Sequence, residues 1–163
     1  MKLNSLEDTF NLSKKIGKLL SHGDAILLYG EIGVGKTTFV RGLINNLEVE
    51  KGMDKSQILS PTFNIVFDYE IKKLKIMHYD LYRLKNSTDI NELGIFAEIK
   101  DHITLIEWPE LIKKKPENRI EMFFSYSEEN LKERNIKING YGKWSNYDFK
   151  KIKIIIQIWR CII

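Results

Sequence analysis

The stretch from Ala25 to Thr38, Ala-Ile-Leu-Leu-Tyr-Gly-Glu-Ile-Gly-Val-Gly-Lys-Thr-Thr, constrains the fold more than any other part of the chain. An apolar run of strand length, Ala25 to Tyr29, enters a glycine-rich loop, and Phe39, Val40, Leu43, Ile44 and Leu47 follow at helical spacing. From Gly30 to Thr37 the loop fits the phosphate-binding template Gly-x-x-x-x-Gly-Lys-Thr at every fixed position, in the strand, loop, helix order that the template requires. Glycines let successive backbone N–H groups turn inward at phosphate oxygens with no Cβ in the way. Lys36 would set a compact positive charge on the β and γ phosphates, and the Thr37 hydroxyl would ligate a Mg²⁺ that bridges them. The predicted ligand is therefore a nucleoside triphosphate, and the predicted contacts in the loop are Glu31, Gly33, Val34, Gly35, Lys36, Thr37 and Thr38.

A chain of 163 residues is the size of one ordinary domain. Its 43% hydrophobic and 29% charged residues are those of a soluble globular protein, and no N-terminal apolar segment has the form of a signal peptide, so cytoplasmic residence is the expectation. Cys161 is the single cysteine, which leaves neither an internal disulfide nor partners for a cysteine zinc site. The net charge of +4 suits an anionic partner, yet the lysines are scattered. Clusters at Lys72 to Lys75, Lys113 to Lys115 and Lys150 to Lys153 read as solvated faces, with no aromatic and basic pattern of the RNA-recognition type beside them.

In chain order, Ser5 caps a first helix with Glu7 and Asp8 in its opening turn and Leu12, Ile16, Leu19 and Leu20 on one face; it is predicted to end near Ser21 to Asp24, with Gly23 as the terminating residue. The polar stretch Glu48 to Gln57 after the P-loop helix reads as a surface loop. Strands are predicted at Thr62 to Tyr69 and Leu74 to Tyr79; the short link Glu70 to Lys73 demands an antiparallel hairpin, so the sheet is mixed. Ser87 or Thr88 caps a short helix that Gly94 stops, and Ile95 to Asp101 reads as another helical turn. His102 to Ile106 is a buried strand, Pro109 opens a brief helix, and Asn118 to Tyr126 with Lys132 to Asn139 are strands at one edge of the sheet. The fold class is thus α/β: one P-loop domain over residues 1–150, with a mixed parallel and antiparallel central sheet flanked by helices, and an Ile-rich segment over 151–163. That segment is shorter than the roughly 20 apolar residues a membrane span needs, so no stable membrane insertion is expected and it is read as docked on the core.

Phosphoryl chemistry needs more than the loop: an acidic residue near the metal and a group that positions a nucleophile. Asp80 follows the apolar strand Ile76 to Tyr79, the place of a metal-site carboxylate, and Glu107 ends Ile103 to Ile106 likewise, where it could orient a water. These two with Thr37 are the predicted metal residues, and Lys36, Asp80 and Glu107 the predicted catalytic ones. Thr62 precedes a strand, where a hydroxyl can report on metal and γ-phosphate. Each has a plainer alternative. Acidic residues at strand ends are common, His78 among apolar neighbours reads as a satisfied core histidine, Arg83 as a phosphate ligand or a carboxylate partner, and Trp108 as packing or as a stacking surface for a nucleobase.

Taken together, Gly30-Glu-Ile-Gly-Val-Gly-Lys-Thr-Thr-Phe-Val-Arg-Gly-Leu43, Ser60-Pro-Thr-Phe63, His78-Tyr-Asp-Leu-Tyr-Arg-Leu84, Glu92-Leu-Gly94 and Ile106-Glu-Trp-Pro-Glu110 resemble, in order and spacing, the TsaE family, also called YjeE. The resemblance runs from the first helix to about Asn139, and Ser-Pro-Thr-Phe, Asp-Leu-Tyr-Arg and Glu-Trp-Pro-Glu together are far more specific than the P-loop. It implies a P-loop ATPase that binds ATP and Mg²⁺ and serves threonylcarbamoyladenosine biosynthesis on tRNA. The TsaB and TsaD proteins would be its partners, and tRNA would be met indirectly through the complex. Carried over by position, it implies phosphate and metal roles for Lys36 and Thr37, a metal-site role for Asp80, a switch-like loop at Thr62, and a hydrolytic and base-contacting motif at Glu107 and Trp108. The Ile-rich end matches nothing in the family. Rival classes are a small GTPase, which lacks its Asn-Lys-x-Asp segment here, a small-molecule kinase, whose Arg-rich lid has no counterpart, and a nucleotide-gated binding module.

Overall fold

The computed structural model describes residues 1–152, so the Ile-rich segment lies outside the described residues except for Lys151 and Ile152, of which Ile152 is buried in the core with Phe149. The strands are β1 (Lys2–Leu3), β2 (Ala25–Tyr29), β3 (Val66–Ile71), β4 (Leu74–Asp80), β5 (Ile103–Glu107), β6 (Arg119–Tyr126) and β7 (Arg134–Tyr141); the helices are α1 (Leu6–Gly17), α2 (Lys36–Glu50) and α3 (Ser87–Glu92). They form a seven-stranded sheet in the order β1-β7-β6-β2-β5-β4-β3. The inner four, β6, β2, β5 and β4, are parallel, while β3, β7 and β1 are antiparallel to their neighbours. The sheet is mixed, as the short β3–β4 link requires.

Period-two alternation divides the strands between two cores. Ile26, Leu28, Ile76, Ile103 and Leu105 pack with the apolar faces of α1 and α2, whereas Leu27, Tyr79 and Ile106 pack on the opposite face with Leu81, Ile90 of α3 and Ile95. Strands β2, β4 and β5 therefore bury side chains on both faces, whereas β6 puts Ile120, Met122 and Phe124 into the core with α1 and α2 and carries Arg119, Glu121 and Ser125 on its other face.

Helices α1 and α2 approach closely at Gly42, where a Cβ would lie 2.5 Å from Ser13 Oγ and 2.6 Å from the Phe10 ring. Alanine in an open helix position would gain up to about 1 kcal/mol over glycine. Here Gly42→Ala is expected instead to cost about 1–3 kcal/mol, because the two helices must part. A denaturation midpoint at or above that of the wild type would show that this crossing yields without cost.

The structure corrects several expected boundaries. Helix α1 ends at Gly17, because Leu19 and Leu20 N–H groups close onto Ile16 and Gly17 in a tightened last turn; Gly23 instead turns the chain into β2, its N–H donating to the His102 carbonyl. Helix α2 runs on to Glu50, and the Glu48 carboxylate, expected in the loop, anchors that loop by accepting from the Ser56 N–H and hydroxyl and from Asn45. Strand β3 begins at Val66 and not at Thr62, since Ile65 takes a left-handed φ of 70° and its N–H turns back to the Pro61 carbonyl. The α3 cap is Asn86, whose side chain accepts from the Thr88 and Asp89 N–H groups, in place of Ser87 or Thr88. Strand β1 was not foreseen: two residues give no periodic signal, and only pairing to β7 creates it.

Candidate functional site

The parallel register brings the carboxyl ends of β2, β5 and β4 side by side, with Leu28 opposite Glu107 and Glu107 opposite Asp80. This is the edge of an open α/β sheet at which ligands bind. A cleft of about 230 Å³ opens there, and Gly33, Gly35, Lys36, Thr37, Thr38, Asp80, Glu107 and Trp108 all line it. Of the predicted contacts, two differ: the Val34 side chain is wholly buried beneath the loop and Glu31 is exposed outside the cleft, so either can reach a ligand there only through its backbone. Ile32, Ser60, Thr62 and Tyr82 complete the lining.

The loop's curvature depends on glycine at both ends. Gly30 has φ 132° and lies so close to β6 that a Cβ would collide with the Phe124 carbonyl oxygen; Gly35 has φ 115° and starts α2 with no side-chain cap. The first N–H groups of the fifteen-residue α2 thus face the cleft without a side-chain acceptor at the cap, which is the arrangement that favours an anion. Lys36 is only 4% exposed. Its ammonium donates to the Gly30 and Glu31 carbonyls at 2.5 and 3.0 Å and lies 3.7 Å from the centre of the Trp108 ring. Burial pushes its pKa below the ordinary lysine value, with Glu107, Glu110 and Asp80 acting in the opposite sense.

The two carboxylates are buried and tied to different neighbours. Asp80 Oδ2 accepts from the Thr62 and Ser60 hydroxyls at 2.5 and 3.1 Å, and Oδ1 accepts from the Tyr82 N–H at 3.0 Å. Glu107 Oε2 accepts from the Thr37 hydroxyl at 2.8 Å, and Oε1 lies 2.9 Å from His78 Nε2. The next residue, Trp108, has a left-handed backbone at φ 59°, ψ 55°, held by its N–H on the Leu28 carbonyl. That conformation costs an L-residue about 1–3 kcal/mol and points the ring across the cleft, in contact with Lys36 and with Tyr82 at 4.9 Å.

These groups suit a hard divalent cation. The Thr37 hydroxyl gives its proton to Glu107, which leaves oxygen lone pairs free, and two buried carboxylates stand at adjacent strand ends; Mg²⁺ favours few protein oxygens and takes the rest from water and phosphate. Among the described residues no group of three or more His, Cys, Asp and Glu forms a cage that could hold a metal by itself.

The sequence reading missed four supports. Ser60 shares Asp80 with Thr62. His78 bonds Glu107 and is no ordinary core histidine; its position two residues before Asp80, on the same face of β4, was the available signal. Arg134 donates to the Val34 carbonyl at 2.9 Å and Tyr126 to the Ile32 carbonyl at 3.2 Å, bracing the loop from β7 and β6, with no signal in the local sequence. Arg83 lies by Phe63, its guanidinium carbon 5.4 Å from the ring centre, and is not in the cleft lining.

Fold and cleft together define an α/β protein of the P-loop class. The family model described as "Threonylcarbamoyl adenosine biosynthesis protein TsaE" matches residues 3–136, and the chain belongs to that family. It is 41% identical over 111 residues to the tRNA threonylcarbamoyladenosine biosynthesis protein TsaE of Rickettsia felis, an alignment covering 68% of this chain and 63% of that one. The counterpart in Rickettsia conorii is 42% identical and covered over 61% of its length, so the chain spans less than two thirds of these two relatives. With the TsaE of Nostoc it shares 35% identity over 134 residues and 80% of both chains. The crystal structure of Bacillus subtilis YdiB has the same fold, with a TM-score of 0.73 over 94% of this chain and 92% of that one at 23% identity. The family match ends inside β7, so neither the Gly142–Trp144 turn nor the Ile-rich end is part of it.

Proposed function

We propose that this chain is a Mg²⁺-dependent ATPase subunit for threonylcarbamoyladenosine modification of tRNA, acting in the cytoplasm with TsaB and TsaD proteins. The observation that carries the reading is the convergence of Lys36, Thr37, Asp80 and Glu107 on one cleft at the carboxyl edge of the sheet, in a chain whose relatives bear that biosynthetic name. Lys36 and the N–H groups at the start of α2 bind the phosphates, Thr37 and Asp80 hold the metal, and Glu107 orients the attacking water. A bound Mg²⁺ supplies neutralisation of charge on the phosphate oxygens. Trp108 and Tyr82 offer the base an aromatic surface, and the missing Asn-Lys-x-Asp segment argues for adenine over guanine.

Partner dependence is supported by what the cleft lacks. Among its lining residues Lys36 is the one cation, and Arg83 and Arg134 are engaged elsewhere. Such a site hydrolyses ATP slowly until another protein completes it. The rim is also apolar and open: Ile32 is 69% exposed, Tyr82 51%, and Phe63, next to Thr62, 84%. No helix among the described residues is long and apolar enough to cross a membrane.

The test mixes the purified chain with TsaB and TsaD and measures ATP hydrolysis and co-elution with and without Mg-ATP. Hydrolysis that needs Mg²⁺ and rises with the partners, together with ATP-dependent association, is expected. No association, with transfer of the γ-phosphate to a small acceptor, would replace this reading with the kinase.

A further inference from the structure

We propose that His78 is a positioning residue for Glu107: it holds one carboxylate oxygen through Nε2–H and thereby aims the other at Thr37 and the cleft. The kinetic consequence rests on the ATPase reading above; the geometry does not. His78 is wholly buried on β4, among Ile76, Leu105 and the ring of Tyr69, whose centre lies 6.5 Å away. Its Nε2 is 2.9 Å from Glu107 Oε1, while Glu107 Oε2 accepts from the Thr37 hydroxyl at 2.8 Å. A carboxylate oxygen in this pairing can only accept, so Nε2 carries the hydrogen. In the neutral ring Nδ1 is then a bare lone pair, and it is buried with no hydrogen-bond partner. The opposite tautomer would bury an unpaired N–H and set a lone pair against a carboxylate oxygen at the same time, so the surroundings select one tautomer.

A histidine placed only to fill the core has no use for such an arrangement. Burying a polar ring with one nitrogen unsatisfied costs about 1–3 kcal/mol relative to a satisfied one, and an aliphatic side chain would fill the same space without that cost. What the imidazole adds is a fixed donor. Glu107 is 2% exposed and ends in two oxygens that could rotate about the terminal bond. A donor on each oxygen, from β4 on one side and from α2 on the other, fixes the plane of the carboxylate. Without His78, Oε1 is left unpaired in a buried place and the plane is free to turn. A group that aligns a water is sensitive to that, since small misplacements of a reacting pair are costly in rate.

Three substitutions in the full-length protein test this. Glutamine places its amide nitrogen near the position of Nε2, asparagine near that of Nδ1, and leucine offers no donor. His78→Leu is expected to lower kcat about 10- to 100-fold, as loss of an outer-shell partner does, with KM for Mg-ATP changed less than about threefold. His78→Gln recovers most of the rate and His78→Asn does not, a contrast that loss of packing would not produce. In a Glu107→Gln background, His78→Leu is expected to add no further loss, because the two act as one unit. Nitrogen-15 spectra of labelled histidine give a readout that needs no activity: His78 is expected as the Nε2–H tautomer, with its signal moved by Glu107→Gln. An Nδ1–H tautomer, an unchanged kcat in His78→Leu, equal rates in the glutamine and asparagine variants, or additive losses with Glu107→Gln would each overturn the proposal. If the wild type hydrolyses no ATP with or without partners, the ATPase reading falls and the nitrogen spectra alone decide whether His78 holds Glu107. Should the leucine variant fail to fold, the glutamine and asparagine pair carries the comparison.

Discussion

Lys36→Ala is expected to bring ATP binding and hydrolysis down to the blank, while the protein keeps its fold and melts at close to the wild-type temperature. The two halves of this result have separate causes. The loop's shape rests on Gly30 and Gly35, on the Val34 N–H to Glu31 carbonyl bond, and on the braces from Tyr126 and Arg134, none of which involves the Lys36 side chain. The ammonium itself is a burden on the folded state, because burial pushes its pKa down and only the nearby acidic groups act to raise it. Removing it leaves the Gly30 and Glu31 carbonyls without their donor but also removes a desolvated charge, so the net change in stability is small. The ligand side has no such compensation, since Lys36 is the one cation among the residues lining the cleft. Calorimetric titration with ATP beside a thermal melt checks both halves. Normal turnover in this variant would sink the nucleotide reading as a whole.

Glu107→Gln is expected to keep Mg-ATP bound while hydrolysis falls by on the order of 10² to 10⁴-fold. Glutamine preserves the volume of the side chain. Its amide oxygen can still accept from His78, which leaves the NH₂ group facing Thr37, whose hydroxyl can rotate to accept from it. Packing and phosphate contacts therefore survive, and what is lost is the negative charge that polarises the attacking water. Asp80→Asn makes the contrast: Asp80 acts through the metal, so binding and turnover should weaken together. A Glu107→Gln protein should also hold an ATP-dependent partner complex longer than the wild type, because hydrolysis is what ends that state. Affinity for a non-hydrolysable ATP analogue, measured beside steady-state turnover, separates the cases. Loss of binding would place Glu107 in the nucleotide or metal shell, and unchanged turnover would remove it from the reaction.

The sequence by itself determined the strand, loop and helix from Ala25 to Leu47, the mixed sheet, and the two acidic residues at strand ends. Each of these is carried by short-range rules: periodicity, a glycine pattern, and a link too short for a parallel crossover. Five residues of β2 and a run of apolar positions on α2 suffice to write them. Only the tertiary structure decided which strand lies where. Placing β5 between β2 and β4 brings Glu107 to the Thr37 hydroxyl across 70 positions of sequence and to His78 across 29. Arg134 reaches the P-loop across 100 positions. The same long-range bonding moved the start of β3, where Thr62 is held on Asp80 and the chain must turn through a left-handed Ile65 before it can pair. Periodicity reports which face of an element is apolar, but not which element will cover it. The pairing of buried polar groups is settled only when distant strands pack, because a carboxylate taken out of water must find its donors wherever the sheet supplies them.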